Sequence, residues 1–228
     1  MTVIDLEVTS LRDLNQMLHG LREGTNETFR VINPKGRHAI AVGLDAPVTV
    51  EIDGNAGYYC AGMNKQANVI INGSAGLGLA ENMMSGTVHV KGDASSSAGA
   101  TGCGGLLVID GNAGARCGIS SRGIDIVVKG SVGHMSAFMA QAGALVVLGD
   151  AGDALGDSIY EARLFVRGAV TSLGSDCIEK PLRDEHREKL GELLQAAGLN
   201  GEIDLGEFRR YGSARNLYHF HMDNLEAY

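Results

Sequence analysis

Tryptophan is absent, and aromatic residues make up only 5% of the 228-residue chain. A sugar-binding groove needs aromatic platforms beside a facing pair of carboxylates, so a glycosidase of the pectinase kind is disfavoured. Cysteine is scarce as well. Cys60, Cys103, Cys117 and Cys177 form no C-x-x-C pair, which argues against a zinc ribbon or an iron–sulfur run. Positive charge is in the minority, with 19 Lys and Arg against 27 Asp and Glu, and the basic residues are scattered. A nucleic-acid surface needs a basic stripe, and none appears. No run of about 18 apolar residues occurs, and the opening MTVIDLEVTS has neither the charged start nor the apolar stretch of a signal peptide. The chain is therefore expected to be soluble and cytoplasmic.

Glycine, in contrast, is abundant at 33 residues, and much of it is periodic. Gly54, Gly73, Gly92, Gly111, Gly130, Gly149 and Gly168 follow one another at a spacing of 19. Four residues before each stands Val50, Val69, Val88, Leu107, Ile126, Leu145 or Leu164, and two before stands Ile52, Ile71, Val90, Ile109, Val128, Val147 or Val166. The alternation puts both columns on one face of a short strand. Seven after each glycine stand small residues: Ala61, Ala80, Gly99, Gly118, Ala137, Gly156 and Ser175. A fixed period of this length marks a solenoid, in which a unit buries its apolar face only against its neighbours. The pattern predicts an all-β fold, a right-handed parallel β-helix of about seven 19-residue coils over residues 47–178. The repeat glycines are expected to be corners with positive φ. An aliphatic repeat of six, needed for a left-handed hexapeptide helix, is missing: six and twelve residues after Ile52 come Tyr58 and Asn64.

Residues 1–46 and 179–228 lie outside the repeat. In the first, Ser10 and Asp13 resemble a capping box for a helix over 11–23, followed by extended pieces at 29–34 and 38–44. This segment is expected to cap one open end of the rod, which would otherwise present unpaired strand edges. In the second, Pro181 precedes a helix with Asp184 and Glu185 in its first turn, Leu190, Leu193 and Leu194 inward, and Gly198 as its stop. The remaining tail carries Phe208, Tyr211, Tyr218, Phe220 and Tyr228, which suits either the chain's own rod or a partner. Tyr211, Tyr218 and Phe220 are the candidate contacts with another subunit.

No catalytic, cofactor-binding or metal-binding residues are expected in this chain. GSAGLGLA at 73–80 fits neither G-x-G-x-x-G nor a Walker loop. His219 and His221 lack a third ligand, and His89 and His134 fall in different columns. Ser95, Ser96, Ser97, Ser120 and Ser121 have no matched His and Asp. Cys60 and Cys117 share a column three coils apart, about 14 Å at 4.8 Å per coil, so they are expected to be reduced, packed thiols.

The G-D/N/S-A-G motifs with intervening small residues, as in INGSAGLGLAENMMSGTVHVKGDA and VVKGSVGHMSAFMAQAGALVVLGDAGD, resemble the GXGXG domain that ends the large subunit of glutamate synthase. The resemblance covers about residues 30–178. With NPKGRHAIAVGL before the coils and RRYGSARNLYHF after them, the chain is similar to stand-alone GXGXG subunits of N-methylglutamate synthase and related glutamate synthase-like clusters. That resemblance implies a non-catalytic scaffold with two partners, a class II glutamine amidotransferase-like subunit and a synthase subunit with FMN and an iron–sulfur cluster. The complex would make N-methylglutamate from glutamate and methylamine. Alternatives are the equivalent subunit of a split glutamate synthase, the β-helical subunit of formylmethanofuran dehydrogenase, and a self-assembling structural β-helix.

Overall fold

The aliphatic columns become the levels of a stack. In a computed structural model describing residues 1–21, 24–199, 201 and 203–215, β1 (Thr2–Asp5) is followed by α1 (Leu11–His19) and β2 (Thr28–Ile32). The repeat then supplies β3 (Thr49–Asp53), β4 (Asn68–Ile71), β5 (Thr87–Val90), β6 (Leu106–Ile109), β7 (Arg122–Val128), β8 (Ala142–Val147) and β9 (Arg163–Val166). After β10 (Cys177–Lys180) and α2 (Asp184–Ala196), β11 (Arg209–Ser213) completes one 11-stranded sheet. Strands β1 to β9 pair in parallel, each with the next. The register sets Val50, Val69, Val88, Leu107, Ile126, Leu145 and Leu164 side by side. All seven are buried, as is the column two residues on. Each such side chain contributes about 1.5–3 kcal/mol on burial, and a one-residue slip would turn both columns outward, so the register is strongly specified. The fold is a parallel β-solenoid, as the period predicts.

The repeat glycines have a different reason from the one expected. Of the seven only Gly54 has positive φ, at 129°. The others are fixed by the coil below. A Cβ on Gly130 would lie 2.7 Å from the carbonyl oxygen of Gly111 and 2.9 Å from its carbonyl carbon. Successive coils touch backbone to backbone at this level, and only glycine lets them.

Positive φ belongs instead to the opposite side of each coil, at alternate residues. Tyr59, Ala61 and Met63 have φ of 58°, 54° and 54°, and the same levels are left-handed at Gly78, Ala80 and Asn82 and at Met135, Ala137 and Met139. A non-glycine residue there costs on the order of 1 kcal/mol. Bonds to both neighbouring coils offset it: Tyr59 N–H donates to Leu77 O (2.8 Å), Ala61 N–H to Ile40 O (3.0 Å) and Met63 N–H to Glu81 O (2.8 Å). From Ala61 to Gly156 the column at plus seven is small because it is both left-handed and inside, whereas Ser175 is exposed and without positive φ, the last coil pairing Leu155 with Leu173 at a spacing of 18. At Gly99 a Cβ would meet Ile126 Cδ1 at 2.6 Å.

The residue after each repeat glycine builds a polar ladder. Asn55 Oδ1 accepts from Ser74 N–H (2.9 Å), Ser74 Oγ from Asp93 N–H (3.1 Å), and Asp93 Oδ1 from Asn112 N–H (2.7 Å). Asn112 Oδ1 accepts from Ser131 N–H (2.9 Å), Ser131 Oγ from Asp150 N–H (2.9 Å), and Asp150 Oδ1 from Ala169 N–H (2.7 Å). This explains the Asn, Ser or Asp in the motif: a short side chain with an acceptor oxygen reaches the corner amide of the next coil. Asn112→Ala removes one rung and is expected to cost about 1 kcal/mol, whereas Asn112→Ser, the residue that fills this place at Ser74 and Ser131, keeps an acceptor and should cost less. Urea midpoints of the two variants check it.

Residues 28–46 do more than cap. Phe29 pairs with Val50 and Val31 with Ile52, so they form a further coil with a spacing of 21 in place of 19. The segment 38–44, expected to be extended, is the left-handed side of that coil, with φ of 56°, 56° and 67° at Ala39, Ala41 and Gly43. Apolar content alone does not separate such a segment from a strand. Helix α1 lies over it and ends at His19, short of the expected 23; Ser10 Oγ accepts from Asp13 N–H at 3.1 Å as its cap. Asn15 donates to Ala39 O (2.8 Å) and accepts from Ala41 N–H (3.0 Å). Its side chain stands in for the backbone of a missing coil.

The other end is closed by a strand in place of a helix. Strand β11 pairs antiparallel with β9 and with β10, closing the parallel run. Helix α2 packs on the flank instead. Leu190, Leu193, Leu194 and Ala197 form a second core with Val108, Val127, Val146, Phe165 and Phe208, and Lys189 Nζ donates to Asp125 Oδ2 at 2.9 Å. The signal was in the sequence. Three residues before the repeat glycine the column reads Glu51, Ile70 and His89, then Val108, Val127, Val146 and Phe165. Its change from mixed to wholly apolar marks where the outer face is covered.

Candidate functional site

With the interior filled by side chains, what remains for recognition is the outside of the rod. On the strand face not covered by α2, charged side chains bridge neighbouring coils. Arg30 Nε donates to Asp53 Oδ2 (2.6 Å), and Asn72 Nδ2 donates to Asp53 Oδ1 (2.9 Å). Asp110 is the centre of a larger group: Lys129 Nζ lies 2.7 Å away, His89 Nε2 2.9 Å and Lys91 Nζ 3.7 Å. Burial alone would raise the Asp110 carboxyl, but hydrogen bonds from Lys129 and His89 more than offset it and leave it below the usual range. The bond from Asn72, with that from Arg30, does the same for Asp53, and the bond from Lys65, with that from Gln66, for Asp45. These carboxylates hold coils together and stay ionised at neutral pH.

The left-handed side carries exposed apolar groups at its first levels. Tyr58 is 57% exposed, and Leu77, one coil on in the same column, is 47% exposed. The ring of Tyr58 stacks on His38 with centroids 4.3 Å apart and planes at 16°. Its N–H donates to His38 Nδ1 at 2.9 Å, which fixes that nitrogen as the acceptor. Met63 and Met84 are exposed nearby in sequence, whereas the later members of the Tyr58 column are Ser96, Ala115, His134, Asp153 and Ser172. Single exposed apolar residues are ordinary, but consecutive ones stacked about 4.8 Å apart form a strip.

The seven repeat glycines sit at the coil contacts described above. Tyr211 is 2% exposed and belongs to this chain's own core, opposite Leu164, and Phe208 is buried under α2. Of the tail aromatics these two therefore wrap the chain's own rod, and Tyr211 is not available to a partner. Tyr218, Phe220, Tyr228, His219 and His221 lie outside the described residues. Among the described residues no group of three or more His, Cys, Asp or Glu is placed to hold a metal, and no helix is long and apolar enough to cross a membrane. Thr2 is paired in β1 opposite Phe29.

The cysteines are free, with Cys60, Cys117 and Cys177 buried and Cys103 exposed. Burial pushes the thiols of Cys60 and Cys117 up to about 12; burial and the nearby Asp157 push Cys177 to about 11. A thiolate is the reactive form. Iodoacetamide at pH 8 is therefore expected to label one thiol per native chain, Cys103, and all four after denaturation, as read by mass spectrometry.

Sequence reasoning missed the seat of α2 and the return of β11 beside β9. No family model matches the chain. It is 62% identical over 229 residues to protein GlxC of Rhizobium meliloti (strain 1021), a match that covers 100% of both chains.

Proposed function

The chain belongs to the family of protein GlxC, and from that premise and its glutamate synthase-like repeat we propose that it is a non-catalytic scaffold subunit of a glutamate synthase-like complex. Within that class we assign it to N-methylglutamate synthase, which turns glutamate and methylamine into N-methylglutamate and ammonia. It would join a class II glutamine amidotransferase-like subunit to a synthase subunit with FMN and an iron–sulfur cluster.

One observation carries the reading: the recurring letters are consumed by coil geometry. Glycine answers the contact between coils, the Asn, Ser or Asp after it feeds the ladder, and the small column fits a left-handed interior. What the sequence repeats is a rod, and what it varies is the outside. Each coil is bonded to both neighbours, so two partners seated on different levels are held at a fixed distance. Because buried side chains fill the interior, a reactive intermediate would pass between partners outside the rod and not along its axis. The strip at Tyr58 and Leu77 offers one seat, and Tyr218 and Phe220 are the proposed tail contacts. The antiparallel β11, which ends the parallel run, favours a discrete subunit over a self-assembling fibre.

The test is to tag the chain in its native host, purify it gently, and record native mass and visible spectrum. The expected result is a large yellow-brown assembly with two further chain types that turns over glutamate plus methylamine, and loses coupled turnover when this subunit is deleted. A colourless oligomer of this chain alone, or full turnover without it, would overturn the reading.

A further inference from the structure

We propose that the trough between α2 and the first residues of β7, β8 and β9 binds a small zwitterion, an α-amino acid, whose carboxylate meets Arg163 and whose ammonium meets Asp125. The register makes the trough. Asp125 pairs with Ala144 and Ala144 with Arg163, so a position bearing only a methyl group separates a carboxylate from a guanidinium, two strand spacings or about 10 Å apart. Alternation puts this column outside, like the one under α2 two residues on. Its other members are Thr49, Asn68, Thr87 and Leu106, and Ala144 is the one that leaves a gap. Two coils earlier the column closes over itself, with Thr87 Oγ1 donating to Asn68 Oδ1 at 2.6 Å. At Asp125 it stays open, because that carboxylate bonds Lys189 of α2, at 2.9 Å, in place of a side chain on the next coil.

The gap has a volume of about 310 Å³, at the lower end of the range for small-molecule sites and too small for a nucleotide. Its lining is of two kinds. Small residues, among them Ala142 and Gly143, leave the space, and every larger side chain that lines it is charged: Asp125, Glu161, Arg163 and Lys189. No long apolar group is there to receive an apolar ligand. Two of the four are acidic and two basic, so the lining is neutral as a whole and carries both signs within one small volume. An ion of one sign would gain from one pair member and lose to the other, whereas a zwitterion gains from both.

Arg163 is the group that sets the orientation. It forms no hydrogen bond or ion pair among the described residues, whereas Arg30 is answered by Asp53 at 2.6 Å and Arg167 by Glu207 at 2.5 Å. The planar fork of a guanidinium matches the paired oxygens of a carboxylate. Across the trough, the Asp125 side chain is 21% exposed and accepts from Lys189; a carboxylate has further lone pairs for an ammonium. An α-amino acid carries its two charges on adjoining carbons, so one small molecule can meet both walls. None of this depends on the assembly proposed above, and the test uses the full chain alone.

The isotopically labelled chain is titrated by NMR with each of the common L-amino acids at constant ionic strength. Saturable shifts at the amides of Gly143 and Ala144 are expected for at least one of them. That amino acid is then compared with its N-acetyl derivative, which keeps only the carboxylate, and with its methyl ester, which keeps only the ammonium. Each is expected to bind about tenfold more weakly or worse. Arg163→Gln, a change at an exposed residue, should weaken the free amino acid about tenfold and leave the methyl ester as it was, a split that mere structural damage would not produce. Ala142→Leu should abolish binding by filling the trough, with the thermal midpoint reporting that the chain is folded. No saturable shift with any amino acid, derivatives that bind as tightly as the free amino acid, or full binding by Arg163→Gln would overturn the site.

Discussion

Gly130→Ala is expected to lower the stability of the rod by about 3 kcal/mol. The added carbon would sit 2.7 Å from the Gly111 carbonyl oxygen and close to Asn112 Oδ1. Neither can retreat. The Gly111 carbonyl already accepts from Gly130 N–H at 2.9 Å, and Asn112 Oδ1 is a rung of the polar ladder. Relief requires neighbouring coils to part, which strains the parallel pairing on either side. At about 2–4 °C per kcal/mol for a chain of this size, the thermal midpoint should fall by about 6–12 °C. Gly191→Ala is the control. It lies inside α2, where a Cβ would have Leu205 Cδ1 as its nearest neighbour at 3.8 Å, so the gain in helix propensity should raise stability by about 0.5–1 kcal/mol. Differential scanning calorimetry of both variants distinguishes a contact-driven glycine from a merely permitted one.

Phe165→Ala is expected to cost about 3–5 kcal/mol. The residue is 0% exposed and lies on the outer face of β9 against the α2 core, so its removal leaves a cavity that α2 and β11 must both collapse to fill. His89→Ala, in the same repeat column but on a coil that α2 does not reach, should cost no more than about 1 kcal/mol, because it removes a partly exposed hydrogen bond with Asp110. Urea unfolding of the two variants tests whether the column is divided where its composition changes. A similar small loss in both would mean that α2 does not hold the flank.

The repeat was legible because a solenoid writes its fold into one period. The Val50 and Ile52 columns sufficed to set strands, register and interior, and Ser10, Asp184 and Gly198 bounded the helices to within a few residues. The glycine column was visible but its cause was not. A glycine serving a turn and one serving a close contact look alike in a single unit; only the stack of Gly111 on Gly130 tells them apart. The left-handed segments were hidden for another reason. Tyr59, Ala61 and Met63 have no local preference for positive φ, and inter-coil hydrogen bonds impose it, which is a tertiary effect overriding propensity. For the outside of the rod, little could be read. Tyr211 and Phe208 look like contact aromatics until β11 is seen to fold back beside β9.

The antiparallel return of β11 also governs how the molecule would bear a load. A run of parallel coils ending in a free edge peels from that edge, one turn at a time, each turn yielding at low force. Here the last coil is bracketed by a strand that arrives later in the sequence and is bonded on both sides, to β9 and to β10. Traction on the C-terminus must extract β11, with Tyr211 drawn from the core, before any coil can unwind. In a single-molecule pulling experiment the C-terminal handle should therefore meet one high initial barrier followed by a train of smaller steps, as the latch gives way before the spring.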